Sequence, residues 1–232
     1  MASYLVIAAS SAIGQAVVKA LKSRGDTVFT TARDASKIQP DAVLDATDFE
    51  AVNQVFIKAG SINGVVNCAG SLLLKNAHTT SKEQFNEVMD ASLTTAFATV
   101  RAAGTHMKDG GSVVLISSAA ALVGIANHEA IAAAKAGIIG LAQSAAATYA
   151  NLNLRFNVVA PGMTDTPLTA QIIKNSMAFE ASKTMHALGR IGNPDDIANA
   201  IIFLLNPENN WITGQVLAVD GGLSRVRPKM KV

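Results

Sequence analysis

The feature that most constrains this 232-residue chain is an alternation. Short aliphatic runs, at Tyr4–Ala8, Thr27–Thr31, Ala42–Leu44, Gly64–Asn67, Ser112–Ser117, Leu154–Val159 and Gln215–Val219, are interspersed with segments of helical period. Strand-like runs that alternate with helices imply βαβ units and a parallel sheet. The helical stretches predicted are Ile13–Ser23, Asp48–Lys58, Lys82–Ala103, Asn127–Tyr149 and Pro194–Leu205. Half of the residues are hydrophobic but only 5% are aromatic, so Ala, Val, Ile and Leu must build the core. That suits strands buried on both faces, which need no alternation of polar and apolar residues. The expectation is an α/β fold: one domain over residues 1–232, a doubly wound sheet of seven parallel strands, and helices on both faces. Thr164–Leu188, the longest segment without a strand pattern, falls after the sixth strand. Ligands bind outside the carboxyl ends of such strands, so this segment is read as a substrate lid.

Charge and cysteine content exclude several function classes. The net charge is +2, and Arg225, Arg227, Lys229 and Lys231 all lie in the final eight positions. Without this basic tail, over about 225–232, the body is slightly acidic. An isoelectric point near 8.7 is therefore no argument for nucleic acid. One cysteine, Cys68, rules out an internal disulfide or a multi-cysteine zinc site, and no metal is expected. The chain opens without a signal-peptide pattern, and no uninterrupted apolar run reaches the roughly 18 residues of a bilayer span. A soluble, cytoplasmic protein with no membrane partner is expected.

The first strand runs into Ala8-Ala9-Ser10-Ser11-Ala12-Ile13-Gly14 and then a helix. A strand, a turn of small residues and a helix N-terminus can cradle an anion, because unpaired backbone N–H groups converge there. An ordinary tight βα turn has the same appearance. Further along stand Val66-Asn67-Cys68-Ala69-Gly70, Ile116-Ser117-Ser118, Lys135-Ala136-Gly137 and Arg155-Phe156-Asn157-Val158-Val159-Ala160-Pro161-Gly162. Gly189-Arg190-Ile191-Gly192-Asn193-Pro194, Ile212-Thr213-Gly214-Gln215 and Val219-Asp220-Gly221-Gly222 follow.

In this order and spacing, from about residue 3 to 224, these motifs resemble the short-chain dehydrogenase/reductase family. The resemblance implies a Rossmann fold, a nicotinamide dinucleotide, a small-molecule substrate and hydride transfer coupled to proton transfer at a carbonyl oxygen. It places Ala8, Ser10, Ser11, Ile13, Gly14, Asn67, Ala69, Gly70, Lys135, Pro161, Gly162 and Thr164 around the cofactor. Asp45 and Ala46 fall where the family contacts adenine, although Asp45 could equally cap the next helix. At the adenosine ribose an acidic residue selects NAD and an arginine accommodates the 2′-phosphate of NADP. Here the second strand ends Thr30-Thr31-Ala32-Arg33, with no carboxylate before Arg33 and two threonines able to donate hydrogen bonds. The reading is NADP(H); the other is that Arg33 is a solvated surface residue beside Asp34.

The family's active site uses a tyrosine four residues before its lysine, a serine after strand five and an asparagine on the long preceding helix. By resemblance the serine is Ser118 and the lysine Lys135. Ile131 stands four residues before Lys135, and Ser92 falls at the asparagine position. The first two loop glycines are Ala8 and Ala12, which adds methyl groups near the cofactor and forfeits easy access to positive φ. An isoleucine has no proton to give. Tyr149 lies fourteen residues beyond Lys135, about 21 Å along a helix, and Tyr4 opens the first strand. His128, three residues before Ile131, is either a replacement general acid sharing that helix face or a polar residue at a helix start. His78 and His186 are weaker candidates on loops. Three functions follow: an NADP(H)-dependent oxidoreductase with an altered acid, an isomerase, cyclase or lyase that holds the nucleotide as structure, or a non-catalytic nucleotide-binding partner. The Ala-rich helix carrying Lys135 predicts a homodimer or homotetramer.

Overall fold

The computed structural model describes residues 1–228. Its sheet is seven-stranded and wholly parallel, in the order β3-β2-β1-β4-β5-β6-β7. The strands are β1 (Ser3–Ile7), β2 (Thr27–Ala32), β3 (Ala42–Val43), β4 (Gly64–Asn67), β5 (Gly111–Ile116), β6 (Leu154–Pro161) and β7 (Val216–Val219). Every strand lies within about two residues of its sequence expectation. The helices are α1 (Ala12–Ser23), α2 (Phe49–Ala59), α3 (Lys82–Met89), α4 (Thr95–His106), α5 (Glu129–Thr148), α6 (Ala170–Lys174), α7 (Ser176–Met185) and α8 (Pro194–Leu205).

Both faces of the sheet are covered. One core contains Leu5, Ile7, Val65, Val113, Leu115, Phe156 and Val158, packed under α2, α4 and α5. The other contains Tyr4, Val6, Val66, Val114 and Val159 under α1 and α8. Adjacent residues of one strand thus enter opposite cores, the period of a strand buried on both sides. Helix starts are set by side-chain caps. Ser11 caps α1, Asp48 caps α2, and Ser81 and Asn193 form capping boxes on α3 and α8. Each such cap is worth about 1 kcal/mol, because it satisfies an N–H that the helix leaves unpaired.

One expectation needs correction. The helix predicted over Lys82–Ala103 is broken by a π turn at Asp90–Thr94 between α3 and α4. The segment read as a lid carries α6 and α7. And α5, at 20 residues, is by length and composition apolar enough to cross a bilayer. Its buried face, with Ala134, Ile138, Ala142, Ala145 and Ala146, packs into the sheet instead. Of the basic tail, Arg225 and Arg227 are exposed, while Lys229 and Lys231 lie outside the described residues.

Candidate active site

The chain reverses its direction of travel across the sheet between β1 and β4, which are hydrogen-bonded neighbours. The carboxyl ends of β1, β4, β5 and β6 therefore open on one crevice, the position where doubly wound sheets bind ligands.

The loop after β1 forms the first wall. Ala8 sits at φ +57°, the left-handed region, and its N–H reaches the Thr31 hydroxyl at 3.4 Å. Ala9 N–H donates to Thr31 O at 2.7 Å. Ser11 Oγ accepts from Gly14 N–H at 3.0 Å. A Cβ on Gly14 would lie 2.7 Å from Ala8 O and 2.9 Å from Ala9 Cα. Only glycine lets the first turn of α1 close onto this loop. Among the described residues, nothing accepts from the N–H groups of Ser10, Ala12 or Ile13. Those donors, at the positive end of the α1 dipole, fit a pyrophosphate. The expectation that alanine forfeits positive φ is thus corrected at Ala8, which adopts it under the constraint of its neighbours.

Arg33 is exposed directly after β2 and makes no ion pair among the described residues. Of the two threonines expected to serve the nucleotide, Thr30 spends its proton elsewhere, while Thr31 accepts from the Ala8 loop and keeps its own. The Thr30 hydroxyl donates to Asp41 Oδ2 at 2.7 Å, and the Thr31 hydroxyl holds the Ala8 loop. Asp45 is exposed and accepts from the Thr47 N–H and hydroxyl at 3.0 and 2.8 Å. These bonds, with Arg33 a lesser cause, hold its carboxyl below the usual range. Asp48, not Asp45, caps α2. Ala46 packs against the core.

Behind the crevice, Asn67 is buried and used at both ends. Its Nδ2 donates to Thr99 Oγ1 at 3.0 Å, and its Oδ1 accepts from Ala69 N–H at 2.8 Å. The resulting turn lays Gly70 over Lys135: a Cβ there would lie 3.1 Å from Lys135 Nζ. Lys135 is 5% exposed, and its Nζ donates to Ile116 O at 2.9 Å. Ser117 Oγ donates to Lys135 O at 2.8 Å and ties α5 to the end of β5. Burial pulls the ammonium down to about 8, a shift that the neighbouring Cys68 partly offsets. Burial likewise pushes the Cys68 thiol up to about 12. Ser118, half-buried, accepts at Oγ from Ala120 N–H at 3.2 Å, which leaves its own proton free to donate.

The remaining sequence-predicted residues divide. Ser92, 1% exposed in the π turn, has an Oγ without a partner, as does Ser71 after Gly70. π turns recur at functional sites, and an orphaned buried hydroxyl fits a bound water or ligand group. Ile131 is buried in an apolar cluster with Val88, Ala130 and Ala134, backed by Leu73 and Met89. His128 does not share the helical stripe of Ile131 and Lys135. It precedes α5 at φ −113°, ψ 12°, with Nδ1 2.8 Å from Ala126 O. His78 is exposed in a short 3₁₀ turn. His186 is not a loop residue free for chemistry. It is 3% exposed, its Nδ1 donates to Ser182 O at 2.6 Å, and its Nε2 accepts from Met163 N–H at 3.1 Å. A Cβ on Gly162 would lie 2.7 Å from that Nε2, so the glycine serves this packing. Pro161 ends β6, and Thr164 is buried with its hydroxyl on Gly162 O at 3.1 Å.

Residues 7–224 match a family model described as enoyl-(acyl carrier protein) reductase. The 3-oxoacyl-[acyl-carrier-protein] reductase FabG of Thermotoga maritima is 33% identical over 94% of this chain and 96% of its own length. The ligand-free aldohexose dehydrogenase of Thermoplasma acidophilum superimposes with a TM-score of 0.90 at 29% identity, covering 100% of this chain and 97% of that one. ElxO with NADP bound gives 0.88 at 28% identity, over 96% and 99% of the two chains.

Proposed function

The chain belongs to the short-chain dehydrogenase/reductase family, and from that premise we propose that it is an NADP(H)-dependent oxidoreductase whose active site departs from the family pattern at Ile131 and Ser92. The observation that carries this reading is the crevice floor. A buried Lys135 is drawn by Ile116 O to the end of β5 and roofed by Gly70, and Ser118, two residues beyond Ile116, keeps a free hydroxyl proton. Such a floor fits a nicotinamide riboside, and the unpaired N–H groups of Ser10, Ala12 and Ile13 fit the pyrophosphate. When bound, the nicotinamide supplies or accepts a hydride. Lys135 would hold its ribose, Ser118 would donate a hydrogen bond to the substrate oxygen, and the unpartnered Ser92 hydroxyl would hold a water or another polar group. The lid helices α6 and α7 would exclude water.

Preference for the phosphorylated cofactor rests on Arg33, a cation without an ion pair among the described residues where the adenosine ribose would lie, and on the NADP-bound relative ElxO. Calorimetry with both nucleotides tests it. NADPH should bind at least tenfold tighter than NADH, and Arg33→Ala should erase most of that difference. Equal affinities in the wild type would overturn the preference. Absorbance at the reduced-nicotinamide band during turnover of a small-ketone panel tests the oxidoreductase reading itself.

A further inference from the structure

Ile131 leaves the site without a phenol, and the proton for the substrate oxygen must come from elsewhere. The two tyrosines are remote from the crevice. Tyr4 is fully buried and touches Gly64 at the amino end of β4, and Tyr149 follows α5 with its ring against Phe156 at 5.6 Å. Both nitrogens of His186 are engaged, one as an acceptor. His128 is turned back on Ala126 O, outside α5.

Lys135 is left. Its ammonium carries three N–H groups, and one protein acceptor, Ile116 O, uses one of them. The rest of the head group lies beneath Gly70, where an added Cβ would stand 3.1 Å from Nζ, beside the carboxyl ends of β4 and β5. Ile131, one helical turn earlier, turns its side chain into the Val88 cluster, so no phenol stands between the ammonium and the bound substrate. We propose that Lys135 is itself the general acid of this enzyme, delivering an Nζ proton to the substrate carbonyl oxygen directly or through one water. As hydride arrives at the carbonyl carbon, the C=O π pair moves to oxygen. That oxygen takes a proton from Nζ, and the neutral amine left behind regains one from solvent. The cofactor is oxidised and the carbonyl is reduced to an alcohol. The titratable group facing the ammonium is Cys68, held as a neutral thiol, and the low dielectric around Lys135 brings it to about 8, near the working range of a general acid.

This rests on the oxidoreductase reading, and the test separates the two. In ¹³Cε-lysine NMR of the NADPH complex, the resonance lost in Lys135→Arg should titrate with a midpoint below the ordinary lysine range, the direction in which burial already moves it in the free protein. Reduction of 2,3-hexanedione with NADPH should have a kcat/KM that falls tenfold per pH unit above that midpoint. Assayed at saturating NADPH, with each variant's dissociation constant measured by fluorescence, Lys135→Arg should lose about 10²–10⁴ in kcat and lose the alkaline limb, whatever it loses in NADPH binding. Lys135→Met, which removes the proton donor altogether, should lose the limb as well and bind NADPH more weakly. The limb should survive in His128→Phe. A limb that persists in Lys135→Arg, that vanishes in His128→Phe, or whose midpoint departs from the NMR value would overturn the proposal alone. A wild type that binds NADPH yet oxidises none with any ketone tested would remove the oxidoreductase reading, and this proposal with it.

Discussion

At the scale of single residues, Ala8 shows a conflict between local preference and global fold. An L-residue in the left-handed region costs roughly 1–2 kcal/mol, because its Cβ crowds the following carbonyl. The bonds of Ala8 and Ala9 to Thr31, and of Ser11 N–H to Ala8 O at 3.0 Å, hold the residue there. Glycine would relieve that strain but loosen the unfolded chain by roughly 0.4–1 kcal/mol. The first magnitude exceeds the second. Ala8→Gly should therefore raise unfolding stability by about 0.5 kcal/mol in urea denaturation, and it should tighten NADPH binding a few-fold by removing a methyl from the cradle. A loss of stability would mean that the Ala8 methyl makes a packing contact worth more than its strain.

At the scale of elements, the π turn between α3 and α4 carries the next expectation. Ser92 is held in it with an unpartnered hydroxyl. A buried donor without a partner costs roughly 1–3 kcal/mol, so Ser92→Ala should stabilise the cofactor-free protein by about 1 kcal/mol. If the hydroxyl serves the bound state, the same variant should weaken NADPH binding or slow turnover. Thermal melts with and without NADPH separate the two effects, and a destabilised cofactor-free variant would show that a buried water already satisfies Ser92. This turn also marks where the sequence stops being legible. The seven strands could be read because a strand buried on both faces must be an aliphatic run, and such runs as Val65-Val66 and Val113-Val114-Leu115 have few other uses. The turn could not, because the apolar period of Lys82–Ala103 continues through it; one extra residue per turn leaves no mark on composition. The proposed floor was marked in the sequence by the motifs around Asn67, Ser118 and Lys135, which the fold brings to the carboxyl ends of β4 and β5. The roles of Thr30, Thr31 and His186 were not, because each depends on a partner far along the chain: Asp41, Ala8 and Met163. The stripe joining His128 to Lys135 failed for a local reason, since the helix starts one residue after the histidine.

At the scale of the whole molecule, α5 turns one row of small residues outward. Ala133, Ala136, Gly140, Ser144 and Ala147 are exposed at spacings of three or four, which puts them on a single face. Beside it on α4, Phe97 is 49% exposed and stacks on Phe49 at 5.8 Å, with Arg101 over the Phe49 ring. A smooth face of small side chains bordered by partly exposed aromatics is costly to leave in water and suits close helix pairing across a two-fold axis. The expectation is a homodimer or homotetramer assembled on this face. Gly140 gives a clean probe, because a Cβ there meets nothing within 4 Å in the protomer. Gly140→Arg should also favour the helix by roughly 1 kcal/mol, so the variant protomer should fold at least as well as the wild type. In a symmetric interface the substitution places two bulky cations against each other across the axis. Light scattering at micromolar concentration should show the wild type as a dimer or tetramer, and Gly140→Arg at half that size with an unchanged circular dichroism spectrum. A monomeric wild type would remove the assembly. An unchanged oligomer in Gly140→Arg would move the interface to another face, and Trp211, 97% exposed after α8, would be the next position to substitute.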